Sequence, residues 1–217
     1  GMENVEQTVA SIMDTLIRNT DANDLIIVTR RVSSICQGPF SSEFKAELRN
    51  KGVIKHLVSR ARDLDNSSEY TNSAIATLRE STFRALAETI YSSRINADEV
   101  VRLGMLTILG QGLNRRKTDD NNVEVLLCVT NNIIGMSASA HELLSEYGLL
   151  ESLVRFSGGR EETVKDSARW VLPEGHVRDI ATAGLANLSN NPAMRAALLR
   201  AGAVEVLARE LARGPYA

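Results

Sequence analysis

The feature that most restricts the fold is a frame repeated four times around glycine. Gly52, Gly104, Gly148 and Gly202 each follow, by four positions, an aliphatic residue: Leu48, Val100, Leu144 and Leu198. Two positions after each glycine stand Ile54, Leu106, Leu150 and Val204, and five positions after it Leu57, Leu109, Leu153 and Leu207. Glycine takes positive φ at little cost, so the frame predicts a short helix, a left-handed corner and a second helix in each unit. Recurrence at this interval marks a stack of similar units that share one continuous core.

A longer amphipathic helix is expected ahead of each short one, over Leu25 to Cys36, Ala74 to Ser92, Val123 to Met136 and Val177 to Ser189. In the last of these, Val177, Ile180, Ala181, Leu185 and Leu188 share one side, and Arg178, Asp179 and Asn187 point away from it. Along the final second helix Val204, Leu207, Ala208 and Leu211 recur at i, i+3, i+4 and i+7, which predicts a buried face. Start signals precede the short helices: Ser139 to Glu142 fits a capping box, Asn96 to Glu99 has the same spacing, and Asn191 precedes Pro192.

Composition agrees with helices packed through aliphatic side chains. Of 217 residues, 43% are hydrophobic but only 4% aromatic, and proline occurs four times, which points to an all-α chain. A net charge of -2 gives no overall field to gather nucleic acid. Cys36 and Cys128 lie far apart in aliphatic surroundings and read as core residues, not as a disulfide. No apolar run approaches the ~20 residues that span a bilayer, so a cytoplasmic or nuclear protein is expected. Gly1 before Met2 reads as a cleavage scar that carries no fold information.

The stretch Ala183-Gly-Leu-Ala-Asn-Leu-Ser-Asn-Asn-Pro192, followed by Leu198-Leu-Arg-Ala-Gly-Ala-Val-Glu-Val-Leu207, resembles the armadillo repeat family. That family's motif runs Ala-Leu-x-Asn-Leu, then a short helix, then Gly-Ala-Val-x-x-Leu; Val123 to Leu153 is the second-best match, and HEAT repeats are the close alternative. The resemblance extends over about four units of three helices and implies one right-handed αα superhelix, an armadillo-type solenoid, over residues 2–217. The corner glycines are 52, 44 and 54 residues apart, against ~40–47 for such repeats. Two insertions are therefore expected, Asp63 to Ser73 and Gly158 to Gly175, the second holding Trp170 as an anchor for a partner or for the insertion itself.

The same resemblance implies a scaffold or adaptor that holds a peptide or helix of another protein in a concave groove lined by the third helices. An asparagine in the family's groove hydrogen-bonds an extended peptide, because an amide donates and accepts at once. The matching positions are Asn187 and Asn132, with Asn131 competing for the latter; Ser34 and Glu88 or Thr89 stand there in the earlier units, and Arg30 and Arg84 one turn before. The family's import receptors place a tryptophan four residues before the asparagine. Ala183 and Cys128 stand there here, so a basic import signal is not the expected ligand. The alternative reading is a structural subunit that docks or self-associates through its ends, unless Glu205, Arg209, Glu210 and Arg213 cap the terminal stripe.

Catalytic patterns are missing from the sequence. His56, His141 and His176 fall in different units without a second ligand at zinc spacing. Gly110-Gln-Gly112 follows no strand, so it is not a dinucleotide loop, and no phosphate loop occurs. Neither an enzyme nor a bound cofactor or metal is expected.

Overall fold

The computed structural model describes residues 2–67, 72–116, 122–158 and 175–213. Among them the chain forms twelve α-helices and no strand. They are α1 (Met2–Arg18), α2 (Ala22–Gln37), α3 (Ser41–Asn50), α4 (Val53–Asn66), α5 (Ser73–Ile90) and α6 (Arg94–Arg102). The remainder are α7 (Met105–Arg115), α8 (Val123–Met136), α9 (Leu149–Phe156), α10 (Gly175–Ser189), α11 (Arg195–Ala201) and α12 (Ala203–Arg213). They pack as two compact units, Gly1–Ile108 and Leu109–Ala217, whose boundary falls inside α7.

The four predicted corners form as the frame requires: Gly52, Gly104, Gly148 and Gly202 have φ of +77°, +90°, +68° and +80°. The predicted long helices match α2, α5, α8 and α10 to within about one turn at each end. In the first unit α2 lies along α5, where the Thr29 hydroxyl donates to Ser81 Oγ at 2.8 Å. In the second unit α8 lies along α10, and Gly184 lets the two approach. A Cβ there would sit 3.2 Å from Leu153 Cδ2 and 3.3 Å from Asn131 Oδ1. Of the frame's twelve aliphatic positions, all are buried except Val204 and Leu207.

One helix was not foreseen. In α1, Val5, Val9, Ile12 and Leu16 recur at helical spacing and are all buried. Packed against α2, α3 and α4, this helix takes the place of the second helix of a preceding repeat.

The second helices also share an unpredicted device. The last carbonyls of a helix lack intrahelical donors, and here arginines from the next repeat supply them. Arg60 of α4 donates to Leu16 O of α1 at 3.2 Å, and Arg79 of α5 donates twice to Leu64 O of α4, at 3.1 and 2.9 Å. Arg155 of α9 donates to Arg116 O at 3.1 Å and to Leu113 O at the end of α7; Arg209 of α12 reaches Gly158 O beyond α9 at 2.7 Å. Each cation also meets the negative end of a helix dipole. Replacing Arg155 by alanine should lower the unfolding free energy by about 1–3 kcal/mol in urea titration. No loss would mean that water serves the carbonyls equally well.

Several expectations are corrected. Ser93, not Asn96, caps α6, accepting from Asn96 N at 3.4 Å, while Asn96 is buried inside the helix. The segment Ser139 to Glu142 starts no α-helix: Ala138–Ala140 is a 3-10 turn, and reverse turns continue to Gly148. The cause is His141, which is drawn into the core, where Nε2 lies 2.7 Å from Ile134 O and Nδ1 3.0 Å from Asn191 Nδ2. With a carbonyl on one side and an amide donor on the other, the ring must carry its proton on Nε2. Asn191 meanwhile caps the next turn as expected, accepting from Ala193 N at 3.0 Å. The start of the first expected insertion is helical, since α4 runs to Asn66 with Leu64 and Asp65 buried. The second insertion and Trp170 lie outside the described residues, apart from its glycine ends.

The face of α12 is the largest revision. Its buried side is Ala203 and Val206, whereas Val204 is 49% exposed and Leu211 83% exposed, with Ala208 exposed and Leu207 half-buried.

Candidate functional site

The third helices carry the candidate residues, and each unit presents one pair of them. In the second unit the outward stripe of α8 runs through Glu124, Cys128, Asn132 and Gly135, and that of α10 through His176, Asp179, Ala183 and Asn187. His176 Nε2 stands 3.2 Å from Glu124 Oε1 and ties the starts of the two stripes together. Asn131 lies against Gly184 in the seam between the helices, with its Oδ1 buried. Asn132, one residue on, is half-buried and Asn187 is exposed. From the Asn131–Gly184 contact, Asn187 lies three residues farther along α10 and Asn132 one farther along α8. The two amides are thus offset by about 3 Å along neighbouring helices.

In the first unit α2 exposes Ile27, Arg30, Arg31 and Ser34. On α5, Arg84 is exposed and reaches Glu80 at 3.0 Å; Glu88 is half-buried, and Thr89 is buried, donating to Leu86 O. Arg30 follows Thr29 by one residue and Arg84 follows Ser81 by three, so the Thr29–Ser81 bond sets them about 3 Å apart along the helix axes. Arg30 and Ser34 of α2 are thereby brought beside Arg84 and Glu88 of α5. Sequence reasoning missed Ile27, which is 66% exposed on the same face of α2 as Arg30 and Ser34; an aliphatic residue off the buried stripe was the available signal. It missed the His176–Glu124 pair as well, because nothing in the sequence brings residues 52 apart together until the repeat register is known.

Both cysteines are free thiols, Cys36 buried and Cys128 half-buried. Burial pushes the Cys36 thiol up to about 12, partly opposed by the Lys45 ammonium nearby and reinforced by Glu88. The proton is therefore held more tightly in the folded state, and any stability tied to it is lost as pH rises from about 9 towards 12. A thiol reagent at pH 8 should modify Cys36 at least about 100-fold more slowly than the unfolded chain's thiols. Equal rates would mean that this part of α2 opens readily. Among the described residues no group of three or more His, Cys, Asp or Glu side chains could hold a metal ion. None of their helices is long and apolar enough to cross a membrane.

No family model matches the sequence, and no curated protein matches it. Solved structures do resemble it. An engineered protein aligns with a TM-score of 0.69 at 22% identity, over 94% of this chain and 42% of that one. This chain thus spans less than half of that relative's length. Computationally designed armadillo repeat proteins for modular peptide recognition align with a TM-score of 0.66 at 20% identity, over 94% of this chain and 73% of that one. The fold is an armadillo-type helical repeat. A designed armadillo repeat protein in complex with the peptide (KR)4 aligns at 0.56 and 19% identity, over 94% and 90% of the two chains. At these identities the likeness concerns the fold alone. As an armadillo-type solenoid the chain departs from four full triplets: its third repeat replaces the first helix with turns, and α1 stands alone ahead of the first triplet.

Proposed function

We propose that this chain is a protein-binding scaffold that holds a peptide or helix of a partner on the outward faces of its third helices. The observation that carries the reading is the pair Asn132 and Asn187, set on adjacent helices with a small axial offset. Two amides so placed can each donate to and accept from the main chain of an extended peptide, whose groups alternate along its length. The peptide recognition named for the designed armadillo relatives supports the same mode. Arg30, Ser34, Arg84 and Glu88 would read side chains over the first unit, with Ile27 offering an apolar contact. Ala183 and Cys128, where a tryptophan would clasp the stem of a basic residue, argue against a basic import signal as ligand. Catalysis has no place in this reading.

A random peptide library selected on the wild-type protein and counter-screened on an Asn132→Ala, Asn187→Ala double variant tests it. Selected peptides should bind the double variant at least about tenfold more weakly under conditions where circular dichroism shows it folded. Peptides that bind both proteins equally would remove the amides from the site. A second reading, assembly through one end, is favoured by the exposed stripe of α12.

A further inference from the structure

The ring of His141 joins the third repeat to the fourth, and its surroundings accept only one protonation state. Asn191 sets that state from one side. Its Oδ1 accepts from Ala193 N at 3.0 Å, so the atom it turns to His141 Nδ1, also at 3.0 Å, is the amide nitrogen. An amide nitrogen only donates, which makes Nδ1 an acceptor. Ile134 O sets the state from the other side, 2.7 Å from Nε2, because a carbonyl only accepts. Both partners demand the neutral ring with its proton on Nε2. His141 is buried, so neither role passes readily to water.

We infer that His141 and Asn191 form a pH-sensitive latch, in which a proton on Nδ1 releases the cap that starts the fourth repeat. An imidazolium donates at both nitrogens, so its Nδ1–H would point at the N–H of Asn191. Turning the Asn191 amide over offers Oδ1 to the ring but withdraws it from Ala193 N. One of the two bonds must be lost. Histidine is the side chain that ordinarily changes charge between about pH 5 and 8. What the lost bond frees is the turn Pro192–Met194, which leads straight into α11 and carries the buried Met194. Neutral pH therefore holds α11 against the third repeat, and acid loosens it.

The charged groups nearby do not override this. On α8, Glu124 and the Cys128 thiol stand ten and six residues before Ile134, about 15 and 9 Å along the axis, and α10 carries no charge after Asp179. Glu142 and Glu146 in the turns are exposed, as are Arg195 and Arg200 on α11, so water and salt screen them. The two uncharged partners govern the ring.

Hydrogen exchange of the whole chain at about pH 7.5 and about pH 5 tests the latch without any ligand, and so independently of the groove reading. Leu198 of α11 and Val100 of α6 are both buried four positions before a corner glycine, but α6 is capped by Ser93 with no histidine. The protection factor of Leu198 should fall at least about tenfold at the lower pH relative to that of Val100. His176→Gln, which removes the titration of the exposed His176–Glu124 pair, should leave the fall in place. Asn191→Asp keeps an oxygen for Ala193 N and offers a second to Nδ1–H, so it should abolish the fall or reverse it. Nitrogen-15 spectra of the wild-type ring at about pH 7.5 should show the proton on Nε2. Leu198 and Val100 responding alike, a fall lost in His176→Gln or unchanged in Asn191→Asp, or a neutral ring protonated on Nδ1 would each overturn the proposal.

Discussion

Alanine in place of Gly110 should lower the unfolding free energy by at least about 3 kcal/mol, although helix propensity alone predicts a gain of about 1 kcal/mol. Gly110 sits inside α7, and a Cβ built there would lie 2.1 Å from the carbonyl oxygen of Tyr147 and 3.2 Å from its carbon. Real Cβ atoms essentially never approach within 3.0 Å, and the obstacle is backbone, not a side chain that can rotate away. The obstructing segment cannot move easily either. Tyr147 precedes the corner at Gly148, whose own added Cβ would lie 2.9 Å from Asn114 Nδ2. His141, at the start of the same turns, is fixed by two hydrogen bonds. Gly135 of α8 supplies the control, because nothing lies within 4 Å of its Cβ position; there alanine should be neutral or stabilising by up to about 1 kcal/mol. Urea unfolding followed by circular dichroism separates the two. A Gly110→Ala variant as stable as the wild type would show that the 141–148 turns do not rest on α7.

Asn96→Leu should cost about 3 kcal/mol, despite exchanging one buried side chain for another of similar size. Asn96 Nδ2 donates to Lys45 O at 3.1 Å and to Thr89 O at 2.9 Å, and its Oδ1 accepts from Arg49 Nη1 at 3.0 Å. One amide thereby joins α3, α5 and α6. Leucine would leave these partners without it in a place water does not reach, and an unpaired buried polar group loses its full hydration. Asn96→Asp discriminates shape from chemistry: it keeps the outline and the acceptor but turns a second oxygen towards two carbonyls, so it should be at least as damaging. Arg49→Ala, at a half-buried site, should cost only about 1 kcal/mol. If Asn96→Leu unfolds at the wild-type midpoint, the amide is not what ties the three helices.

Much of this architecture was legible because it rests on local rules. A glycine that must take positive φ announces itself by residue type, and a buried helical stripe announces itself by spacing, which is why all four corners and the four long helices were placed in advance. Helix α1 carried a plain stripe of Val5, Val9, Ile12 and Leu16 and escaped only because it has no corner glycine in the repeat frame. Asn96 was misread for a physical reason. Ser93 and Asn96 both suit a helix start, and the choice depends on which of them the core of the neighbouring repeat requires. Ser139 to Glu142 failed in the same way, since a capping box describes only the local chain and His141 answers to Ile134 and Asn191.

The candidate site divides along the same line. That Asn187 lies off the buried stripe follows from helical periodicity; resemblance supplied its role and named Asn132 beside it, with Asn131 as the competitor. That Asn131 is turned into the seam, and that His176 meets Glu124, depends on how closely α8 and α10 approach, which Gly184 controls. By itself the sequence determined the helical class, the repeat, its corners and the four long helices, because these follow from φ preference and the 3.6-residue period. Only the tertiary structure decided which stripes find a cover, which carbonyl ends receive an arginine and which asparagine faces outward. Those are relations between repeats, set by neighbours some fifty residues away whose register no local pattern encodes.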